Sequence, residues 1–174
     1  MTPKKSLFIL SMLAATAVVA ASRVEAREIL GSSEAEAAQW AQAQGYQAQA
    51  SAKGASGCLK DRRYVPMSGK GMQVTAAFFH PLYQVDTKMI AMVEFVPQAP
   101  IGKSQAEALA VQAAPIAGTR PPTHRQNIPV GSDPCAPPNG GFEGRYTDDY
   151  IVEYFYAPDR SRIEKIRVYN ENIR

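Results

Sequence analysis

Residues 101–113 read IGKSQAEALAVQA, and residues 30–42 read LGSSEAEAAQWAQ. Gly31, Ser33, Ala35, Glu36 and Ala37 recur at an offset of 71 as Gly102, Ser104, Ala106, Glu107 and Ala108, and Leu30 is answered by Ile101. Both phrases contain Ser-x-x-Glu, at Ser33 and Glu36 and again at Ser104 and Glu107. This is the capping-box spacing, in which the serine hydroxyl accepts from an N–H one turn in and the glutamate reaches back to the serine N–H. Ala, Gln, Glu and Leu then favour a helix. The pattern predicts one helix from about Glu34 to Gln44, stopped by Gly45, and another from about Gln105 to Ala114, stopped by Pro115. Trp40 and Leu109 are the large side chains expected to anchor them.

A cysteine follows each helix, Cys58 and Cys135. Paired strand signals come next: QVTAAFFHP and MIAMVEFV in the first half, YIVEYFYAP and RIEKIRVY in the second. An offset of 77 matches Val74 to Ile151, Phe78 to Phe155 and Pro81 to Pro158. β-branched and aromatic residues dominate these runs, and short connections between apolar runs imply antiparallel hairpins. The extra residues of the second half fall in the proline-rich PIAGTRPPTHRQNIPVGSDP, expected to be a loop. The reading is an α+β protein of two αββ repeats, residues 27–100 and 101–174, with a four-stranded antiparallel sheet and both helices on one face.

The amino-terminal segment has a different purpose. Lys4 and Lys5 precede the apolar run LFILSMLAATAVVAA and the small-x-small ending Val24-Glu25-Ala26, the pattern of a secretory signal peptide over residues 1–26. Ala20 and Ser22 are alternative cut points. The predicted address is periplasmic or secreted, with membrane contact only through the signal before cleavage. Residues 27–174 then carry 16 basic and 15 acidic side chains, and no basic stripe with interleaved aromatics, which excludes nucleic acid as the expected partner. Two cysteines in an exported chain predict a Cys58–Cys135 disulfide, worth about 4 kcal/mol for so long a loop. Free thiols or pairing between chains are the alternatives. No ligand spacing links the cysteines to His80 and His124, so no metal is expected.

No catalytic set emerges. Gly-x-Ser-x-Gly, Ser-x-x-Lys and glycine-rich phosphate loops are missing from the sequence. His80 is read as a strand-end histidine and His124 as a loop histidine, Asp148-Asp149 as a turn before a strand, and Asp61-Arg62-Arg63 as solvated charge. The expectation is a non-enzyme without cofactor.

The functional lead is RYTDDYIVEYFYAP. Alternate strand residues share a face, so Tyr150, Val152, Tyr154 and Tyr156 lie on one side and Ile151, Glu153 and Phe155 on the other. If Val74, Phe78, Ile151 and Phe155 pack on the helices, the tyrosines and Phe79 form an open face suited to a protein partner in the cell envelope. The opposite assignment makes the tyrosines core and turns Glu153 to water. A second functional reading is an envelope small-molecule binder, with a pocket between the helix layer and the sheet or under the proline-rich loop, which a lining of His124, Arg125 and Asp148-Asp149 would support.

The signal peptide, LGSSEAEAAQWAQAQGY and its echo IGKSQAEALAVQAAP, each followed by a hairpin, resemble the tandem αββ plan of the β-lactamase inhibitory protein family. The single repeat is also similar to the small lipoprotein of the outer-membrane β-barrel assembly machine (SmpA/OmlA type). The resemblance implies a concave sheet whose aromatics grip a protein as an inhibitor, immunity or assembly factor. The chain departs from the inhibitor in having one cysteine per repeat, and from the lipoprotein in lacking a lipid-bearing cysteine.

Overall fold

The computed structural model describes residues 28–55, 57–114, 124–128, 142–146 and 149–173. The expected signal peptide, Cys135 and Asp148 lie outside them. The protein is α+β, with two helices and a large antiparallel sheet.

Helix α1, Glu34–Gln44, starts on the predicted capping box: Glu36 N donates to Ser33 Oγ, and Ser33 N donates to Glu36 Oε2 at 2.8 Å. Gly45 ends it with φ +77°, a left-handed conformation that glycine adopts at no steric cost. Helix α2, Lys103–Ala113, corrects the second capping box. It begins two residues before the prediction, Gly102 is its N-cap, and no side chain caps it. Ser104 is already inside the first turn, so its hydroxyl is not placed at the cap.

The first half supplies β1 (Gln47–Ala48), β2 (Ala52–Lys53), β3 (Arg63–Gly69), β4 (Met72–Ala77), a small hairpin of β5 (Phe79–His80) and β6 (Val85–Asp86), and β7 (Met92–Pro97). The second supplies β8 (His124–Ile128), β9 (Phe142–Tyr146), β10 (Tyr150–Tyr156) and β11 (Ile163–Asn170). Among the described residues, nine strands form one sheet in the order β1-β3-β4-β7-β11-β10-β9-β8, with β2 also paired to β3. The expected count of four strands is therefore too low. The four strands read from the sequence, β4, β7, β11 and β10, stand side by side in its middle. The additional ones flank them, and β8 lies within the stretch expected to be loop.

Both helices cover the same face. Ala37, Trp40 and Ala41 of α1 and Ala106, Ala110 and Ala113 of α2 share one buried cluster with Val65, Met67, Val74, Val93, Phe95, Ile166 and Val168. The alanines let the helices lie close on the strands. Trp40 anchors α1, 5 % exposed and stacked on Tyr46 at 5.9 Å, whereas Leu109 is only partly buried.

Candidate functional site

Strand parity decides which residues each face presents, and it reverses the predicted binding face. Tyr150, Val152 and Tyr154 are buried beneath the helices in the same cluster as Val74 and Phe78, with Tyr156 packed at its margin. Phe79 is fully buried in a second cluster on the opposite side, with Ile151, Met92, Ala77 and Tyr169. The expected open face of Tyr150, Val152, Tyr154, Tyr156 and Phe79 is thus a correction: the first four line the core and Phe79 lies elsewhere. The cause is register. Val74 lies in the helix-side cluster and Ile151 in the opposite one, so aligning the two puts residues of opposite faces together, as a one-residue slip does. Tyr150 donates to the Glu28 carboxylate, and burial together with that carboxylate pushes its phenol well above the ordinary range.

Glu153 does not turn to water. It lies opposite Arg167 of β11, which on its other side lies opposite Glu94 of β7. Arg167 is fully buried, Glu94 and Glu153 nearly so. Arg167 donates from Nε to Glu94 Oε1 at 2.9 Å and from Nη1 to Glu153 Oε2 at 2.9 Å, and its Nη2 is 3.8 Å from Cys58 Sγ. Lys165 Nζ adds a contact to Glu94 Oε1 at 3.3 Å, and Tyr169 Oη donates to Glu153 Oε1 at 3.2 Å. Both cations lie over the Phe155 ring, Lys165 at 4.4 Å and Arg167 at 4.8 Å. A planar guanidinium fork can serve two carboxylates on flanking strands, which a point-charge ammonium cannot do in the same geometry. Burial pushes the Glu94 carboxyl up, but Arg167 and Lys165 more than offset it and hold Glu94 below its ordinary range. These carboxylates act as fixed acceptors in a cross-strand brace. The sequence signal was available: Glu94, Glu153 and Arg167 each sit mid-strand between apolar residues.

The brace adjoins the β5–β6 hairpin. The His80 ring meets Tyr169 edge-on at 5.6 Å and lies 4.5 Å from Tyr83, and His80 Nδ1 accepts from Tyr83 N at 3.3 Å. Gln84, at φ +56°, turns the chain and donates from its backbone N to His80 O. Arg62 stacks over Phe79 at 4.8 Å and pairs with Asp86 at 2.9 Å, while Arg63 lies 3.7 Å above Phe78. Both arginines lie against rings while Arg63 stays exposed and Arg62 half-buried, so the charge expected at this turn remains in contact with water. On this anchored base, Leu82, Tyr83, Val85 and nearby Met89 are exposed by 54, 37, 41 and 37 %. The sequence presented LYQVDTK only as a connection.

A separate groove of about 510 Å³ runs between α1 and the edge of the sheet, lined by Glu34, Ala35, Ala38, Ala48, Gln49, Ala50 and Val65. The remaining sequence candidates do not converge with it. His124 and Arg125 belong to β8, a strand where a loop was expected, and Asp149 accepts from Asn172 Nδ2 at 3.3 Å. The expected Cys58–Cys135 pairing extends to a residue outside those described. Among the described residues, no three His, Cys, Asp or Glu side chains are grouped to hold a metal ion, and no helix is long and apolar enough to cross a membrane.

No family model matches the chain, and no curated protein matches it. The crystal structure of an extracellular protein containing an SCP domain from Bacillus anthracis aligns with a TM-score of 0.38 and 7 % identity over 98 % of this chain and 50 % of that one. The chain spans half the length of that protein, and a likeness at this level carries no argument about fold or function.

Proposed function

We propose that this is an exported, non-catalytic protein, built as two related α+β halves, that binds a protein partner in the cell envelope. The contact surface is the β5–β6 hairpin and its flank, in place of the tyrosine strand. One observation carries the reading. Among the described residues, four of the six exposed large apolar side chains fall between Leu82 and Met89. Clustered apolar exposure on a rigid support marks an interaction site, whereas scattered exposure does not. The hairpin is held to the body of the sheet by the buried rings of Phe79 and His80 and by the Arg62–Asp86 pair. The amino-terminal pattern supports export. The mirror-like strand order, β1-β3-β4-β7 meeting β11-β10-β9-β8, supports the two-half plan.

The test places a photo-crosslinking residue at Leu82 in cells producing the full chain. A single discrete adduct with an envelope protein is expected, lost in Val85→Asp while the purified variant keeps its thermal midpoint. Adducts that persist in Val85→Asp, or absence of any adduct, overturn the proposal.

A further inference from the structure

One wall of the groove beside α1 is an edge of the large sheet. Among the described residues, β1 is the last strand on its side. Gln49 N donates to Pro66 O at 2.9 Å, and Ala48 lies opposite Met67 in the neighbouring rung. Antiparallel rungs alternate, so the Ala48 N–H and C=O point away from β3, toward the open side. An extended chain laid beside Ala48 would complete those hydrogen bonds.

Three further features narrow the occupant. Ala35, Ala38, Ala48 and Ala50 are too small to fill the space over Val65, and about 510 Å³ falls within the roughly 300–1,000 Å³ of ligand pockets. That leaves room for apolar side chains of the added strand. Glu34 stands on the groove wall; its Oε1 accepts from Ser51 N at 3.1 Å, and it has no cation partner among the described residues. An incoming Lys or Arg would supply one. Finally, the edge has three residues between Ala48 and Ala52 where β3 has two between Met67 and Tyr64. This bulge limits straight pairing to a short segment, which disfavours a second full sheet edge and favours a peptide.

We propose that the groove between α1 and β1 binds a short extended peptide of a partner protein, added as a strand beside Ala48. An apolar side chain enters the alanine-lined space, and a Lys or Arg on the same face of the peptide meets Glu34. The site uses none of the hairpin residues and stands or falls independently of the Leu82–Met89 surface.

The experiment selects a displayed library of random short peptides on the purified chain. Enriched peptides should share an apolar residue two positions from Lys or Arg, since alternate residues of a strand face the same way. Their binding should be abolished by Ala38→Phe, which fills the groove from an exposed position, and weakened about tenfold by Glu34→Gln, which keeps the acceptor for Ser51 N but removes the charge. Peptides bearing Glu in place of Lys should regain affinity for Glu34→Lys. On titration, the amide signals of Ala48 and Ala50 should move, and Leu82→Asp should leave affinity unchanged. Enrichment without the shared pattern, binding that survives Ala38→Phe, or amide shifts confined to other elements overturns the proposal. So does a dimer of the unliganded chain that Ala38→Phe dissolves, which would assign the edge to self-association.

Discussion

Arg167 and Glu94 face each other across β11 and β7, Nε 2.9 Å from Oε1, with the guanidinium removed entirely from solvent. Removing one member of such a buried pair strands the other. Arg167→Ala should therefore cost about 3–5 kcal/mol of unfolding free energy. Arg167→Lys should recover little of it, because an ammonium cannot reproduce the forked contact with Glu94 and Glu153. A triple change of Glu94, Glu153 and Arg167 to leucine should cost less than Arg167→Ala alone, since both buried carboxylates leave together with the guanidinium and only Lys165, which keeps some access to water, loses its contact with Glu94. Urea titrations of the three variants check the order.

Glu94 is held below the ordinary carboxylate range in the folded chain, through Arg167 and Lys165 acting against burial. Its contribution to stability is present above the unfolded carboxyl value, about 4.3, and is lost as pH falls through the lower folded value. Thermal midpoints should therefore decline on acidification below about pH 4. Glu94→Gln should be less stable at neutral pH and show a shallower acid decline.

Tyr150 titrates in the other direction. Burial and the Glu28 carboxylate raise its phenol. Its contribution is complete below the unfolded value of about 10 and is lost as pH rises toward the folded one. Stability should fall in strong alkali, and Tyr150→Phe should flatten that limb. Melts followed by circular dichroism across the alkaline range check it.

Tyr154 is 3 % exposed in the main core. Tyr154→Ala should cost about 3–5 kcal/mol, in the range of other large aromatic truncations. Tyr156→Ala should cost less, because that ring sits at the core margin. Denaturant midpoints decide, and a near-neutral Tyr154→Ala would return the ring to the surface.

The hairpin tip should behave as surface. Leu82→Ser and Val85→Thr should each shift unfolding free energy by no more than about 0.5 kcal/mol. Differential scanning calorimetry checks this, with Tyr154→Ala as the contrasting core change.

What the sequence made legible follows from how local each signal is. Helix α1 is announced within a dozen residues by Ser33, Glu36 and Gly45, all of which act as predicted. The four central strands are dense in β-branched and aromatic residues. β3 is not, and it contains Pro66, which reads as a breaker. Proline is tolerated there because this strand is next to the sheet margin: Pro66 accepts from Gln49 N on the side where its missing N–H would point. Facing was the weak link. The tyrosine strand alternates two usable faces, and they are assigned only once Glu153 meets Arg167 and Arg167 in turn meets Glu94, a chain of contacts whose second link joins residues 73 positions apart. The groove escaped notice for a related reason: a run of alanines states only that little is there, and the open edge beside it is a property of the assembled sheet.

The seam between β7 and β11 also constrains what the chain could pair with. Residues before 101 bring Glu94 to it, one negative charge; residues after bring Arg167, Lys165 and Glu153, a surplus of one positive charge. The two sides cancel only when joined to each other. Two copies of the first side would confront carboxylate with carboxylate, and two copies of the second would bury unmatched cations. Electrostatic neutrality at the joint therefore selects the heterologous union over either like-with-like association.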